Sequence, residues 1–296
     1  MNIQKSFQSE HGTGTLYLIG TPIGNLEDMT FRAVRLLKEA DLIAAEDTRQ
    51  TRKLLTHFEI GGRLVSYHEH NKEASGRELL RLLEEGQTVA LVSDAGMPAI
   101  SDPGADLARG AIERSIPVVP VPGANAALSA LVMSGLATER FLFCGFLPRE
   151  KKKRSDELAA LRTTAATLLF YESPHRVAKT VAAMLEAWGD REAALMRELT
   201  KRHEEAARGT LAELLRHLEE HPPLGEYVLA VAGAPAHGGS APGSSGADEA
   251  GAWWSGLSAA EHVRHYEAAG EDRKGAMKKA AADRGVSKRD IYQELL

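Results

Sequence analysis

The chain has 296 residues, 43% of them hydrophobic and 26% charged, with a formal net charge of −5. That suits a soluble globular protein of about two domains with appendages, and its bulk charge gives no reason to expect nucleic acid, although local charge is a separate matter. Cys144 is the only cysteine, which excludes an intrachain disulfide and a cysteine-held zinc. Cys144 lies in the apolar run FLFCGF and reads as core filler. No apolar stretch reaches the roughly 18 residues of a membrane span, and the opening MNIQKSFQSEHGTG lacks the apolar region of a signal peptide. A cytoplasmic enzyme is the expectation.

Residues 1–13 read as a frayed terminus. Leu16–Ile19 is a short strand that ends in Gly20-Thr-Pro-Ile-Gly24-Asn25. A helix follows with Phe31, Val34 and Leu37 on one face. Leu42–Ala45 is a second strand, ending in Glu46-Asp47-Thr48-Arg49. Glu73–Leu83 is an amphipathic helix stopped near Gly86. A strand at 88–93, a helix at 103–113 behind the candidate cap Asp102 and Pro103, and a strand at 116–121 come next. Strands that alternate with helices imply parallel pairing, and their continuous apolar runs imply burial on both faces. A helix at Ala124–Ser134 leads out of this first α/β domain. A second α/β unit takes its strands from Phe141–Phe146, Thr167–Tyr171, Ala193–Met196 and Tyr227–Val231, with helices at about 155–163, 174–186 and 210–219. Ala236–Ala252 is rich in Gly, Ser, Ala and Pro and reads as a flexible linker. Ser258–Ala269, Asp272–Arg284 and Lys288–Leu295 read as three short helices, with Gly270 and Gly285 as stops and Ser287 as an N-cap. The expected layout is a flexible 1–13, α/β domains at 14–122 and 123–235, a linker at 236–256 and a helical appendage at 257–296.

Several motifs are missing: GxxxxGK[ST], GxGxxG after the first strand, and HExxH. His68 and His70, two apart in an extended segment, point opposite ways and read as loop residues rather than a metal pair. Four loops follow apolar strands: Thr21–Asn25, Ser93–Pro98, Pro122–Ala126 and Glu172–Arg176. Each alone is plain turn chemistry; together they predict one cleft at the carboxyl ends of strands. Gly96, Gly104 and Gly123 permit close backbone approach to a ligand. Such a cleft offers backbone N–H and C=O groups, small residues and few charges, which suits a ligand with an adenine, a ribose and an amino-acid tail.

The segments TPIGNLEDMTFRA, LIAAEDTR, SYHEHN, ALVSDAGMPAISDPG, PVVPVPGANAALSAL, GFLPR, LLFYESPHRV and RELTKRHEE, in this order over about residues 14–233, resemble the bacterial small-subunit ribosomal RNA methyltransferase I family. That family is a branch of the tetrapyrrole (corrin/porphyrin) methylases. The resemblance implies two α/β domains with a cofactor trough between them, S-adenosylmethionine as methyl donor, and a homodimer. It implies transfer to the ribose 2′-oxygen of a cytidine in the decoding region of 16S rRNA, presented as RNA or as the assembled 30S subunit, with no membrane partner. The C-terminal helices look like an extension found on some members only. Met97 stands where SDAGTP would have threonine, a lost hydroxyl worth about 0.5–1.5 kcal/mol. GANA stands where many relatives have a Ser- or Cys-containing turn.

By motif order the resemblance assigns the donor to Pro22, Gly24, Asp94, Gly96, Met97, Asn125, Ala126, Glu172 and Ser173; Asp94 either bonds the donor's amino group or only shapes its turn. Methyl transfer from a sulfonium needs mainly alignment, and a strongly anionic site would hold the cationic ground state too well. The acceptor hydroxyl needs a base or a nearby cation. Glu46, Asp47, Glu172, Glu198 and Lys201 stand at strand ends. Glu46 and Asp47 point opposite ways, so one faces the cleft while the other caps the next helix; Asp47 fits an N-cap equally well. His175 reads as a capping or packing residue. Arg49, Arg197, Lys201 and Arg202 are candidates for phosphate, with a solvated face as the alternative for Arg202. The run Arg149, Glu150, Lys151, Lys152, Lys153, Arg154 is either a solvated loop or an RNA contact. Residues 257–296 hold eight Lys/Arg against seven Asp/Glu, which favours a packing bundle or an RNA-docking appendage over a DNA reader. The rival readings are a methylase of a small tetrapyrrole and a ligand-sensing regulator that binds nucleic acid.

Overall fold

The computed structural model describes residues 3–4, 12–235, 254, 257–284 and 286–295. The expected frayed terminus and linker lie almost wholly outside the described residues, as does the Gly285 stop. The chain divides into two compact units, Met1–Arg162 with Ala166–Ala232 and Thr163–Ala165 with Gly233–Leu296.

The first unit begins with β1 (Leu16–Ile19), α1 (Phe31–Glu39), β2 (Leu42–Ala45), α2 (Thr48–His57), β3 (Arg63–Ser66), α3 (Lys72–Glu84), β4 (Val89–Val92), α4 (Gly104–Glu113) and β5 (Val118–Val121). The strands form one sheet in the order β3-β2-β4-β1-β5, every pair parallel. Helices cover both faces, so β2 and β4 are buried at all four positions. Leu16, Leu42 and Leu91 pack with Leu79, Leu83 and Leu107 on one side. Ile19, Ile43 and Val92 pack with Leu36, Leu37 and Leu55 on the other. The buried face of α1 is Ala33, Leu36 and Leu37. Phe31, expected on that face, sits in the first turn and is exposed. Pro103, expected as the first helical residue, is instead the N-cap of α4, and Asp102 lies one residue before it: its Oδ1 accepts the Gly104 N–H at 2.7 Å and the Ala99 N–H at 2.9 Å, which ties the turn to the helix start.

The second lobe of this unit comprises α5 (Ala126–Ser134), β6 (Phe141–Phe146), α6 (Lys151–Leu161), β7 (Thr167–Glu172), α7 (Val177–Trp188), β8 (Glu192–Arg197), β9 (Glu205–Thr210), α8 (Leu211–Glu220) and β10 (Tyr227–Val231). Its sheet runs β6-β7-β10-β8-β9. Only β6 and β7 are parallel; β10 pairs antiparallel with both β7 and β8, and β9 antiparallel with β8. The helix expected at about 155–163 starts earlier, so Lys151–Arg154 of the basic run form the opening turn of α6, with Glu150 as its N-cap and Arg149 before it. Helix α5 covers one sheet face, with Ala127, Ala130 and Leu131 against Leu169, Met196 and Val228.

The ends of β1 and β5 meet through two glycines. A Cβ at Gly123 would lie 2.9 Å from the carbonyl carbon and oxygen of Gly20, and one at Gly20 would lie 2.8 Å from Gly123 Cα. Backbone cannot yield as a side chain does. Gly123→Ala is therefore expected to cost about 1–3 kcal/mol as overpacking and to weaken donor binding by parting the two loops; thermal melting and calorimetry with the donor check both.

The second unit carries α9 (Ala259–Ala268), α10 (Arg273–Asp283) and α11 (Lys288–Glu294) around Val263, Ala276, Met277, Ala280 and Ile291. Ser287 caps α11 and Ser258 caps α9. His262 is fully buried in this core. Arg284 Nε donates to its Nδ1 at 3.1 Å, so the ring proton sits on Nε2, 3.0 Å from Asp283 Oδ2. Burial holds this imidazole below its ordinary range. Among the described residues no helix is long and apolar enough to cross a membrane.

Candidate active site

The loops after β1, β4, β5 and β7 do converge. Together with β2's end, the loop after β8 and the start of β10 they line a cleft of about 620 Å³ between the two lobes of the first unit. Thr21 and Gly96 exchange both backbone hydrogen bonds, at 2.9 and 3.1 Å, and so clamp the first loop to the second. Gly96 sits at φ +79, a conformation in which a side chain is strained.

Of the residues expected at the donor, Asp94, Gly96, Met97, Asn125, Ala126, Glu172 and Ser173 line the cleft, while Pro22 and Gly24 do not; Ile23 between them does. Met97, where threonine was expected, puts its sulfur against Gly20. Gly24 has another neighbour: a Cβ there would overlap Lys201 Cγ. Asn125 caps α5, its Oδ1 accepting the Leu128 N–H at 2.9 Å. Glu172 is 3% exposed, and both its oxygens are taken inside the protein. Thr180 Oγ1 donates to one at 2.7 Å; the Ser173 N–H, at 2.9 Å, and the Arg176 Nε, at 3.4 Å, approach the other.

The expectation of few charges fails. Glu46, Asp94, Asp102, Glu198, Glu226 and Lys201 all line the cleft. Burial, reinforced by the negative charges of Asp94 and Asp102, raises the Glu46 pKa above the usual carboxylate range. Burial likewise raises Asp102, against the pull of the Ala99 and Gly104 N–H groups. Asp94 Oδ1 accepts the Asp47 N–H at 2.9 Å.

Asp47 itself turns away. It caps α2, accepting the Arg49 N–H at 2.8 Å and pairing with the Arg49 guanidinium, which holds its carboxyl below the usual range. Of the two adjacent acids, then, Glu46 faces the cleft. Lys201 Nζ donates to Glu198 Oε1 at 2.9 Å and Glu226 Oε2 at 2.8 Å. Burial works to lower its pKa, but its hydrogen bonds to Glu226 and Glu198 and their negative charges outweigh it and the net shift is upward. Lys201 is therefore a fixed ammonium and no proton acceptor at neutral pH. Two backbone strains hold the clamp: Glu198 and Thr200 are at φ +52 and +65, each costing about 1–3 kcal/mol. Gly225 must be glycine, since a Cβ would lie 2.5 Å from Glu198 Oε1.

Arg197 is not in the cleft. It faces α8 and pairs with Glu205 at 2.7 Å. Arg49, Arg149, Lys151, Lys152, Lys153 and Arg154 lie outside the cleft lining, on the surface or partly exposed. His68 and His70 stand with ring centroids 6.0 Å apart, and no metal-binding cluster occurs among the described residues. Cys144 packs against the second-lobe core, and burial pushes its thiol up to about 11. The sequence missed Ile100, Phe146, Tyr171, Leu199, Glu226 and Tyr227 as cleft residues. Glu226 and Tyr227 arrive from the amino end of antiparallel β10, where a rule about strand carboxyl ends does not look.

This fold and cleft define a class: residues 15–215 match the profile of the Tetrapyrrole (Corrin/Porphyrin) Methylases. Solved structures agree on the fold. Uroporphyrin-III-C-methyltransferase from Thermus thermophilus aligns with TM-score 0.53 at 24% identity, over 74% of this chain and 94% of its own. Diphthine synthase aligns with TM-score 0.59 at 17% identity, over 74% and 90%. More specifically, the chain is 55% identical over 292 residues to "Ribosomal RNA small subunit methyltransferase I" of Halalkalibacterium halodurans, covering 99% of this chain and 98% of the relative. It is 51% identical over 289 residues to the protein of the same name from Bacillus subtilis, covering 98% and 96%. The chain belongs to the ribosomal RNA small subunit methyltransferase I family within the tetrapyrrole methylases. Its cofactor is S-adenosylmethionine. The cleft fits that group: Asp94 offers a carboxylate to its cationic part, Ile23, Leu199 and Val228 supply apolar wall, and burial, by favouring the neutral forms of Glu46 and Asp102, tempers the negative charge around a sulfonium.

Proposed function

We propose that the protein methylates the ribose 2′-oxygen of a cytidine in the decoding region of 16S rRNA, as part of the 30S subunit, in the cytoplasm and as a homodimer. The observation that carries this reading is a cleft in which Glu46, a carboxylate raised by burial, shares the lining with one clamped ammonium, Lys201, in a chain more than half identical to a small-subunit RNA methyltransferase. Asp94, Gly96, Met97, Asn125, Ala126 and Ser173 would hold the donor, which supplies an electrophilic methyl carbon when bound. Pro22 and Gly24 act from behind the wall, by placing Ile23 and leaving room for Lys201. Glu172 anchors the turn rather than touching the donor.

Alignment of donor and acceptor is the protein's main contribution, a proximity effect worth about 7–11 kcal/mol. Glu46 takes the proton of the attacking hydroxyl. Its raised pKa brings it nearer to working pH, which suits a general base. Lys201, held by Glu198 and Glu226, offers fixed positive charge to the developing alkoxide. Asp47 supports the site only through the α2 cap. Arg49 and the basic turn of α6 take RNA phosphates outside the cleft; Arg197, paired with Glu205, has no such role.

The test is transfer of labelled methyl from S-adenosylmethionine to unmodified small subunits, to their free RNA, and to a corrin precursor. Label on a cytidine ribose of the decoding region is the expected result. Label on the corrin precursor alone would assign the cleft to a tetrapyrrole and overturn the reading.

A further inference from the structure

We propose that Phe146 is the platform on which the base of the target nucleotide stacks, with the first turn of α6 holding the phosphates beside it. The inference rests on the RNA reading above and assigns that site a nucleotide turned out of its helix.

Phe146 ends β6 and lines the cleft, yet it is 56% exposed, while the next residue, Leu147, is 2% exposed. Single exposed apolar side chains are ordinary on a protein surface; what sets this ring apart is its place at the rim of the cleft. The ring is also held in place. Tyr171 meets it edge-on, with centroids 5.6 Å apart at 63°, and is itself braced by Phe143 at 4.9 Å. The chain beyond the ring is tied down, since Arg176 Nη2 donates to the Leu147 carbonyl at 2.7 Å. Ile100, 41% exposed, lines the same cleft from the first lobe.

Three residues further on, the chain begins its run of positive charge. Arg149, Lys151 and Lys152 make no ion pair among the described residues, whereas Lys153 pairs with Glu150 at 2.9 Å. Cations in the first turn of a helix oppose its dipole, so the stability of α6 does not account for them. A ring flanked by unpaired cations is the combination by which proteins take unstacked nucleotides: aromatic faces accept the base and basic groups the backbone. An enzyme that works on one nucleotide of a folded RNA must first turn it out, and the freed base then needs a surface.

The experiment compares wild type, Phe146→Leu and Phe146→Trp in two measurements, donor affinity by calorimetry and steady-state methylation of unmodified small subunits. Leucine keeps an apolar side chain but has no π face. It is expected to lower kcat/KM for the subunit about 5- to 150-fold, the worth of one base–aromatic stack, chiefly through KM, with donor affinity unchanged. Tryptophan is expected to return kcat/KM to within a few-fold of wild type. A Phe146→Leu enzyme that methylates like wild type overturns the proposal. So does one with weakened donor affinity, which would place the ring on the donor instead, and so does a tryptophan that fails to rescue. A wild-type protein inert on both the subunit and its free RNA sinks the underlying RNA reading, and is recognised separately because it needs no variant.

Discussion

Glu46→Gln is expected to lower kcat by about two to four orders of magnitude, the usual worth of a positioned general base, while donor affinity stays close to wild type. The pH profile carries the sharper test. Burial and the neighbouring Asp94 and Asp102 stabilise the protonated form of Glu46, so its pKa lies above that of an ordinary carboxylate. Only the ionised form accepts a proton. Activity should therefore fall as pH drops through a midpoint above the usual carboxylate range near 4, and the glutamine variant should lose that acid limb. Asp47→Ala is the control. Asp47 caps α2 and pairs with Arg49 outside the cleft, so its loss should cost about 1 kcal/mol of stability and leave the acid limb in place. An acid limb that survives Glu46→Gln would move the base elsewhere in the cleft.

The first sheet was legible because its physics is simple. Strands covered on both faces must be apolar throughout, and β2 and β4 are. The strand β3 escaped because it is an edge: Arg63-Leu-Val-Ser is half exposed and gives no run to see. β9 escaped for the same reason, as Glu205-Ala-Ala-Arg-Gly-Thr shows neither alternation nor a buried stretch. Without β9, alternation of strands and helices suggested parallel pairing throughout, and the antiparallel β10 that carries Glu226 and Tyr227 into the cleft stayed hidden. The charge of the cleft was also misjudged. Loop motifs announce glycines and prolines, but whether neighbouring acids point inward depends on caps and partners in three dimensions. Asp47 spent on α2 and Glu46 turned inward form one decision, and only the register of β2 against β4 settles it. Of the nine positions that the resemblance assigned to the donor, seven line the cleft and two, Pro22 and Gly24, do not.

Glu172 shows how a motif residue can be indispensable without touching a ligand. Its carboxylate is 3% exposed and receives the Thr180 hydroxyl, the Ser173 N–H and the Arg176 guanidinium. Arg176 in turn holds the Leu147 carbonyl, so one buried acid ties the β7 turn, the start of α7 and the end of β6. Glu172→Leu removes the acid and leaves Thr180, itself 2% exposed, and a half-buried guanidinium without their partner. Breaking such a buried pair costs about 3–5 kcal/mol, which for a unit of this size lowers the melting temperature by about 10 °C. Glu172→Gln keeps an acceptor and a donor in place and should lose less than half as much. Both variants should bind donor normally below their melting range. If Glu172→Leu instead melts like wild type while donor affinity collapses, the carboxylate belongs to the ligand and the anchor assignment is wrong. The two readings therefore separate on a melting curve alone, because a carboxylate kept for a ligand adds little to the stability of the empty protein, whereas this one closes two hydrogen bonds and an ion pair before any ligand arrives.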